Sequence, residues 1–339
     1  MKTILKKLMA KNELSFDEIK FAVESIAKHE VSDAQTAAFI VAVTAKGVSK
    51  DEFYAFAANM RNFSKRIKTD KYIVDSCGTG ADMSKTINIS TAAAIIANSC
   101  GVNVIKQTNS SITSACGSTD FLSALDIDIA KTPEKATECF YKKGITFVHS
   151  PHFNDFAAAN NTIRQQIGIK SVFNFLGPLI NPSFPNAQLL GVSSNEMCEK
   201  MIYALQKLGT DKALVVNGIN PNLDEISICS ETCVFELKDG KIEKYKIFPE
   251  QFGFNTASLD KIQGGNAIEN AKIITEIFEN KRTDAMSDVI LLNAGAMIYL
   301  AGLEQTIKNG IEFARESLKS GKALKVLRGL RNVQSFNAV

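Results

Sequence analysis

The stretch Tyr72-Ile-Val-Asp-Ser-Cys-Gly78-Thr-Gly80-Ala-Asp-Met-Ser-Lys-Thr-Ile-Asn88-Ile-Ser90-Thr91 decides how the rest of the chain is read. A short apolar β-type run at 72–74 stops at Gly78-Thr79-Gly80. A helical run, Ala92-Ala93-Ala94-Ile95-Ile96-Ala97, opens at Ser90-Thr91. Strand, glycine turn and helix N-terminus in that order make an anion site. The glycines let backbone N–H groups approach an oxyanion, and the helix end adds partial positive charge. Ser90 and Thr91 either cap the helix or offer hydroxyls to a phosphate. The spacing matches neither the dinucleotide glycine fingerprint nor the eight-residue mononucleotide loop. Gly-x-Gly alone reads equally well as a tight turn before a capped helix. Asp82, Asn88 and the Ser-Thr pair tilt the reading to phosphate.

Outward from that stretch, short apolar runs at 102–106, 145–149, 171–175, 189–192, 213–217 and 226–229 read as strands, several with helices between them. One helix opens at Thr132-Pro133 and ends at Gly144; another runs from Asn195 to Leu208 and stops at Gly209. That alternation predicts an α/β sheet covered by helices. Residues 232–237 and 241–247 flank Asp239-Gly240, the signature of an antiparallel hairpin with a primed turn. Ahead of the sheet stand three capping boxes, Ser15-x-x-Glu18, Ser32-x-x-Gln35 and Ser49-x-x-Glu52, each opening an apolar helical stripe. The basic run Lys65-Arg66-Ile67-Lys68 reads as a solvated linker. The expectation is a small N-terminal helical domain at 1–68, joined by part of 165–185, and a larger α/β domain at 69–339. The larger domain has a central, mostly parallel mixed sheet flanked by helices, and its tail from about 266 is helical again.

Bulk composition narrows the class. At 339 residues, 45% hydrophobic and 22% charged, the chain has the make-up of a soluble two-domain protein. A net charge of +3 is too small for a nucleic-acid footprint or a membrane surface. No signal-like segment and no bilayer-length apolar run is seen. The cysteines at 77, 100, 116, 139, 198, 229 and 233 are scattered, odd in number and free of any Cys-x-x-Cys pair. That argues against disulfides and zinc and for a cytoplasmic location. Three histidines (29, 149, 152) leave little for a histidine-rich metal site.

Four further groups can carry chemistry. Lys106-Gln107-Thr108-Asn109-Ser110-Ser111 and Ser114-Ala115-Cys116-Gly117-Ser118-Thr119-Asp120 follow the second strand, at the sheet end where α/β proteins bind ligands. A lysine, an asparagine and several hydroxyls there suit a pyrophosphate and a ribose. Asp224-Glu225 precedes a strand. An adjacent carboxylate pair is either exposed charge or a Mg²⁺ site, since that ion takes a couple of carboxylates plus water and substrate phosphates. Arg164 is a solvated helix arginine or a fork for a carboxylate. The stretch Phe173-Asn174-Phe175-Leu176-Gly177-Pro178-Leu179-Ile180-Asn181-Pro182 is a turn, a hinge or an apolar pocket wall. No Ser/His/acid or Cys/His arrangement is present, and no covalent nucleophile or general base is proposed.

Together these blocks resemble the anthranilate phosphoribosyltransferases over nearly the whole chain. The resemblance rests on Asp75-x-Cys77-Gly78-Thr79-Gly80-x-Asp82, Asn88-Ile89-Ser90-Thr91, Lys106-x-x-Asn109, Ser114-x-x-Gly117-Ser118-x-Asp120, Arg164-x-x-x-Gly168, Asn174-x-Leu176-Gly177-Pro178, Gln188-Leu189-Leu190-Gly191 and Leu223-Asp224-Glu225-Ile226-Ser227. It implies transfer of phosphoribose from 5-phosphoribosyl-1-pyrophosphate to the amine of anthranilate, in tryptophan biosynthesis. It implies that Gly78, Thr79, Gly80, Asp82, Asn88, Ser90, Thr91 and Lys106 hold the donor, that Asn109 and Arg164 hold anthranilate, and that Thr86 and Ser118 also bind substrate. It implies Mg²⁺, as two ions, on Ser90, Asp224 and Glu225, and a homodimer through the helical domain. The chain departs from the family pattern at Ala81, Gln107, Thr108, Ser110, Ala115 and Asn154-Asp155. Histidine, arginine and lysine are missing from the acceptor side, where Gln107 and Asn154 can donate hydrogen bonds but carry no charge. Two other readings are a pyrimidine nucleoside phosphorylase and a non-catalytic nucleic-acid-binding relative. Asp224-Glu225 and the 174–182 block favour the transferase, and the weak charge disfavours nucleic acid.

Overall fold

The computed structural model describes residues 1–80, 84–108 and 116–331. The chain begins with α1 (Lys2–Met9), α2 (Phe16–Ala27), α3 (Asp33–Lys46) and α4 (Lys50–Arg61). All three capping boxes form: Ser15, Ser32 and Ser49 accept from the N3 backbone, and Glu18, Gln35 and Glu52 accept from the cap N–H in return. Glu52 also ties the bundle together. It is buried, accepts from the Leu14 N–H at 2.9 Å and pairs with Lys46 at 2.7 Å.

The sheet follows, with β1 (Ile73–Gly78), α5 (Ile89–Ser99), β2 (Asn103–Thr108), α6 (Ser118–Ala124), α7 (Pro133–Lys143) and β3 (Ile145–His149). After α8 (Ser150–Phe153), α9 (Asp155–Ile167) and α10 (Phe173–Leu176) come β4 (Ala187–Gly191), α11 (Asn195–Lys207) and β5 (Lys212–Gly218). The hairpin β6 (Thr232–Lys238) and β7 (Lys241–Ile247) completes the sheet in the order β3-β2-β1-β4-β5-β6-β7. The first five strands are parallel and the hairpin is antiparallel. Asp239 and Gly240 have φ of 50° and 72°, the left-handed pair that a primed turn requires. The C-terminal helices are α12 (Ala267–Phe278), α13 (Ala285–Leu300), α14 (Ile307–Lys319) and α15 (Lys322–Leu330). Strand alternation gives the sheet two apolar faces. Val74, Val104 and Leu189 face α5 and α13, while Leu190 and Val215 face α11 and the core of the helical bundle. No helix among the described residues is long and apolar enough to cross a membrane.

Two expectations need correction. Residues 171–175 are not a strand: α10 and a 3₁₀ turn (Gly177–Ile180) occupy this segment. Its apolar residues Phe173, Leu176, Leu179 and Ile180 recur at helical spacing and are buried in the bundle core. Residues 226–229 are not a strand either. The Asn293 side chain, from α13, accepts from the Ile226 N–H at 3.1 Å and donates to its carbonyl at 3.0 Å, so a side chain takes the place of a ladder partner. In the 65–68 linker Lys65, Arg66 and Lys68 are exposed, as expected of a solvated run, and Ile67 between them anchors it. Ile67 is buried with its N–H on the Pro182 carbonyl, and the Arg66 guanidinium lies 3.6 Å from the centre of the Phe184 ring.

Phe173 packs α10 against the helical bundle and α9. Its ring centre lies 5.5 Å from Phe56 of α4 and 5.6 Å from Phe156 of α9. Phe173→Ala is expected to lower the unfolding free energy by about 3–5 kcal/mol, read from the urea midpoint. A loss below about 1 kcal/mol would remove this cluster from the account.

Candidate active site

β1 ends at Gly78, opposite Gly191 of β4, and the Thr79 N–H continues the ladder to the Gly191 carbonyl at 3.0 Å. The Asp224-Glu225 loop lies directly on this end. The Asp224 carboxylate accepts from the Gly80 N–H and, at 3.4 Å, from the Thr79 hydroxyl through the same oxygen. A Cβ on Gly78 would stand 2.9 Å from that oxygen, and one on Gly191 only 1.5 Å from the Asp224 carbonyl. Both glycines are therefore set by close approach of the acidic loop. The loop is anchored from behind. Asn217 Nδ2 donates to the Val192 carbonyl and to Asn222, each within 2.8 Å, and Leu223 pairs with Gly218.

β2 brings Lys106 to the same place. Its side chain is buried, and Nζ donates to the Ser76 carbonyl and to Ser90 Oγ, the latter at 3.2 Å. The ammonium thus bridges the end of β1 to the first turn of α5. Asp75, on the opposite face of β1, is fully buried and accepts from Asn181 Nδ2 at 2.8 Å. Burial pushes its carboxyl up, and the Lys106 charge and the Asn181 bond pull it down. Burial also pushes the Cys77 thiol up to about 12, so the site offers no thiolate at neutral pH.

α5 is capped by neither Ser90 nor Thr91. The N-cap position is Asn88, its side chain makes no capping bond, and Ser90 and Thr91 lie in the first turn. Thr91 is buried, and Thr86 forms a bridge with Gln263. Ser118 opens α6 after Gly117. Asp82 and Asn109, with Ala81, Ser110 and Ala115, lie outside the described residues. Arg164 sits in the last turn of α9, partly buried, and desolvation lowers the pKa of its guanidinium. No hydrogen bond or ion pair among the described residues joins it to the Lys106 and Asp224 group.

The acceptor side differs from expectation at two residues, Asn154 and Gln107. Asn154 does not face a ligand: it is buried, donates to the Met60 carbonyl at 2.8 Å and to Ser64 Oγ at 3.0 Å, and caps α9 through its carbonyl oxygen. Gln107 spends its N–H groups on Ser150 Oγ at 2.6 Å and the Gly177 carbonyl at 3.2 Å, leaving Oε1 buried without a partner. Sequence reasoning missed Asn270 and the Gly264-Gly265 turn, which close on the 84–88 segment. The Ile87 N–H reaches the Ile262 carbonyl at 3.1 Å and the Gly264 N–H reaches the Lys85 carbonyl at 2.9 Å. The Gly-Gly pair before a helix was the available signal.

As a donor set, adjacent carboxylates beside backbone N–H groups and a lysine suit a divalent cation that shares its shell with phosphate oxygens. No cluster of three His, Cys, Asp or Glu side chains exists among the described residues, so these residues alone supply no full cage.

Residues 2–64 match the glycosyl transferase family helical bundle domain, and residues 70–324 match the glycosyl transferase family a/b domain. The anthranilate phosphoribosyltransferase of Rubrobacter xylanophilus is 39% identical over 96% of this chain and 95% of its own length. The chain belongs to the anthranilate phosphoribosyltransferase family. The Thermus thermophilus family member superposes with a TM-score of 0.89 at 33% identity, covering 96% of this chain and 97% of its own. The Saccharomyces cerevisiae family member, solved in complex with PRPP and Mg, superposes at 0.86 with 26% identity over 96% of this chain and 95% of that one. It has also been solved with 4-fluoroanthranilate.

The tight fit between Gly78 and Asp224 generates a direct test. Gly78→Ala is expected to weaken pyrophosphate binding about tenfold, the scale of one lost hydrogen bond, with the melting temperature kept. Unchanged affinity in a calorimetric titration would contradict the requirement for close approach.

Proposed function

We propose that this chain transfers phosphoribose from 5-phosphoribosyl-1-pyrophosphate to the amine of anthranilate, releasing pyrophosphate, as a step of tryptophan biosynthesis. The supporting observation is that the glycine turn, Lys106 and Asp224 converge at one end of the parallel strands. Gly78, Thr79 and Gly80 receive the pyrophosphate. Asn88, Ser90 and Thr91 at the start of α5 receive the second phosphate, with Asp82, Thr86 and Ser118 completing the donor site. Lys106 lies where charge builds on the leaving oxygens. Asp224 and Glu225 would hold Mg²⁺, as two ions, with Ser90 offering the lone pair that Lys106 does not use. When bound, Mg²⁺ supplies further neutralisation of the leaving pyrophosphate.

In the reaction the bond from C1 of the ribose to the pyrophosphate oxygen breaks, and a bond from C1 to the anthranilate nitrogen forms as that nitrogen sheds a proton. An aromatic amine is neutral at pH 7, so positioning contributes more than a general base. Arg164 and Asn109 orient the acceptor, the guanidinium pairing with its carboxylate. Met9, Phe16, Phe21 and Val41, all exposed on the helical bundle, support a homodimer through that domain. Free cysteines throughout support a cytoplasmic location.

Pyrophosphate release separates this reading from its competitors. With donor and Mg²⁺, release is expected with anthranilate and absent with uracil or buffer alone; uracil-selective turnover would overturn the proposal. Asp224→Asn combined with Glu225→Gln is expected to abolish release while leaving the fold intact. Arg164→Ala is expected to raise the anthranilate KM about 100-fold with the donor KM little changed. An unaltered anthranilate KM would remove Arg164 from the acceptor site.

A further inference from the structure

The N-terminus of α5 has an asparagine in the capping position that does not cap. Asparagine is among the strongest N-caps, because its side-chain oxygen accepts from the first-turn N–H groups. Here that oxygen points elsewhere. Asn88 Oδ1 accepts from Asn270 Nδ2 at 3.0 Å, and the Cys116 thiol lies 3.5 Å from the same atom.

The orientation of both amides follows from one unambiguous donor. The Gly265 backbone N–H lies 2.8 Å from the Asn270 side chain, and a backbone N–H can only donate. The Asn270 atom there is therefore its oxygen, and its NH₂ is the group that faces Asn88. The Asn88 atom meeting that NH₂ is in turn an oxygen, which leaves the Asn88 NH₂ turned away from Asn270. Asn270 is buried, so water does not compete for these positions. Gly264 is part of the device: a Cβ there would stand 2.4 Å from Asn270 Oδ1. The turn is itself pinned to the 84–88 segment by the Gly264 bond to the Lys85 carbonyl and the Thr86 bridge to Gln263.

We propose that Asn270 is a positioning residue for the phosphoribosyl donor: it draws the carbonyl oxygen of Asn88 off the N-terminus of α5, which leaves the helix end open and turns the Asn88 NH₂ toward an anionic phosphate. An uncapped helix end with a side-chain donor beside it binds an anion; the same end capped by its own asparagine does not. The inference rests on the reading that a donor phosphate sits at the start of α5.

The test uses steady-state kinetics with 5-phosphoribosyl-1-pyrophosphate and anthranilate on the full chain. Asn270→Asp keeps an acceptor for the Gly265 N–H but has no N–H for Asn88. It is expected to raise the donor KM about tenfold, with kcat and the anthranilate KM within about twofold of the parent. Asn88→Ala is expected to raise the donor KM by a similar factor, and the double variant is expected to be no worse than Asn88→Ala alone. An unchanged donor KM in Asn88→Ala overturns the donor reading and the inference with it. A raised donor KM in Asn88→Ala but not in Asn270→Asp overturns the inference alone, as do effects that multiply in the double variant. If Asn270→Asp fails to fold, Asn88→Asp decides. It still accepts from Asn270 and turns an anionic oxygen outward, so its donor KM must exceed that of Asn88→Ala; an equal or lower value overturns the inference.

Discussion

A carboxylate can sit on a glycine turn only if nothing stands between them, and the active end of this sheet is arranged around that contact. Asp224 meets the Gly80 N–H and the Thr79 hydroxyl across a gap that a methyl group at position 78 or 191 would fill. Charge-assisted bonds from backbone N–H groups are short and strong, and the strands behind them fix their direction. Those N–H groups also have the geometry to receive phosphate oxygens. A divalent cation gives the carboxylate an alternative partner, which makes the contact a meeting point for ion, phosphate and protein.

Behind that contact lies a buried polar web. Asp75, Asn181 and Gln188 occupy the opposite face of the same strands, with Asn181 Nδ2 also on the Ile105 carbonyl at 2.8 Å and Gln188 Nε2 on the Pro178 carbonyl at 3.0 Å. Burying a carboxylate is costly unless charge and hydrogen bonds compensate it, and the nearby Lys106 charge and Asn181 do so. The web also fastens the 177–183 segment to β1 and β2, while Arg61 Nε holds the Leu179 carbonyl of that segment from α4 at 2.7 Å. The lysine of the site and the helical bundle are thus linked through a few side chains.

Much of this was legible before the fold was known, wherever local chemistry decides local structure. Capping boxes at Ser15, Ser32 and Ser49, the Asp239-Gly240 turn and the Thr132-Pro133 helix start all depend on neighbours within a few residues, and all formed. The misread segments depend on distant partners. Ile226 looks like a strand residue, but its backbone bonds belong to Asn293, 67 positions away. Asn154 looked available to a ligand because nothing in the sequence announces the Met60 carbonyl. Phe173 is the instructive case: its spacing to Leu176 and Ile180 is helical, and a β-rich composition masked it. Asn270 escaped because its proposed role lies in turning another side chain, Asn88, which no local pattern encodes.

In the proposed function the acidic pair and the glycine turn share a divalent ion with the donor's phosphates. Anomalous diffraction at the manganese edge, from a crystal soaked with Mn²⁺ and 5-phosphoribosyl-1-pyrophosphate, measures this directly. The predicted result is an anomalous peak coordinated by Asp224 or Glu225 and by pyrophosphate oxygens lying on the Gly78–Gly80 turn. A donor bound without metal at Asp224, or metal peaks confined to other surfaces, would contradict it.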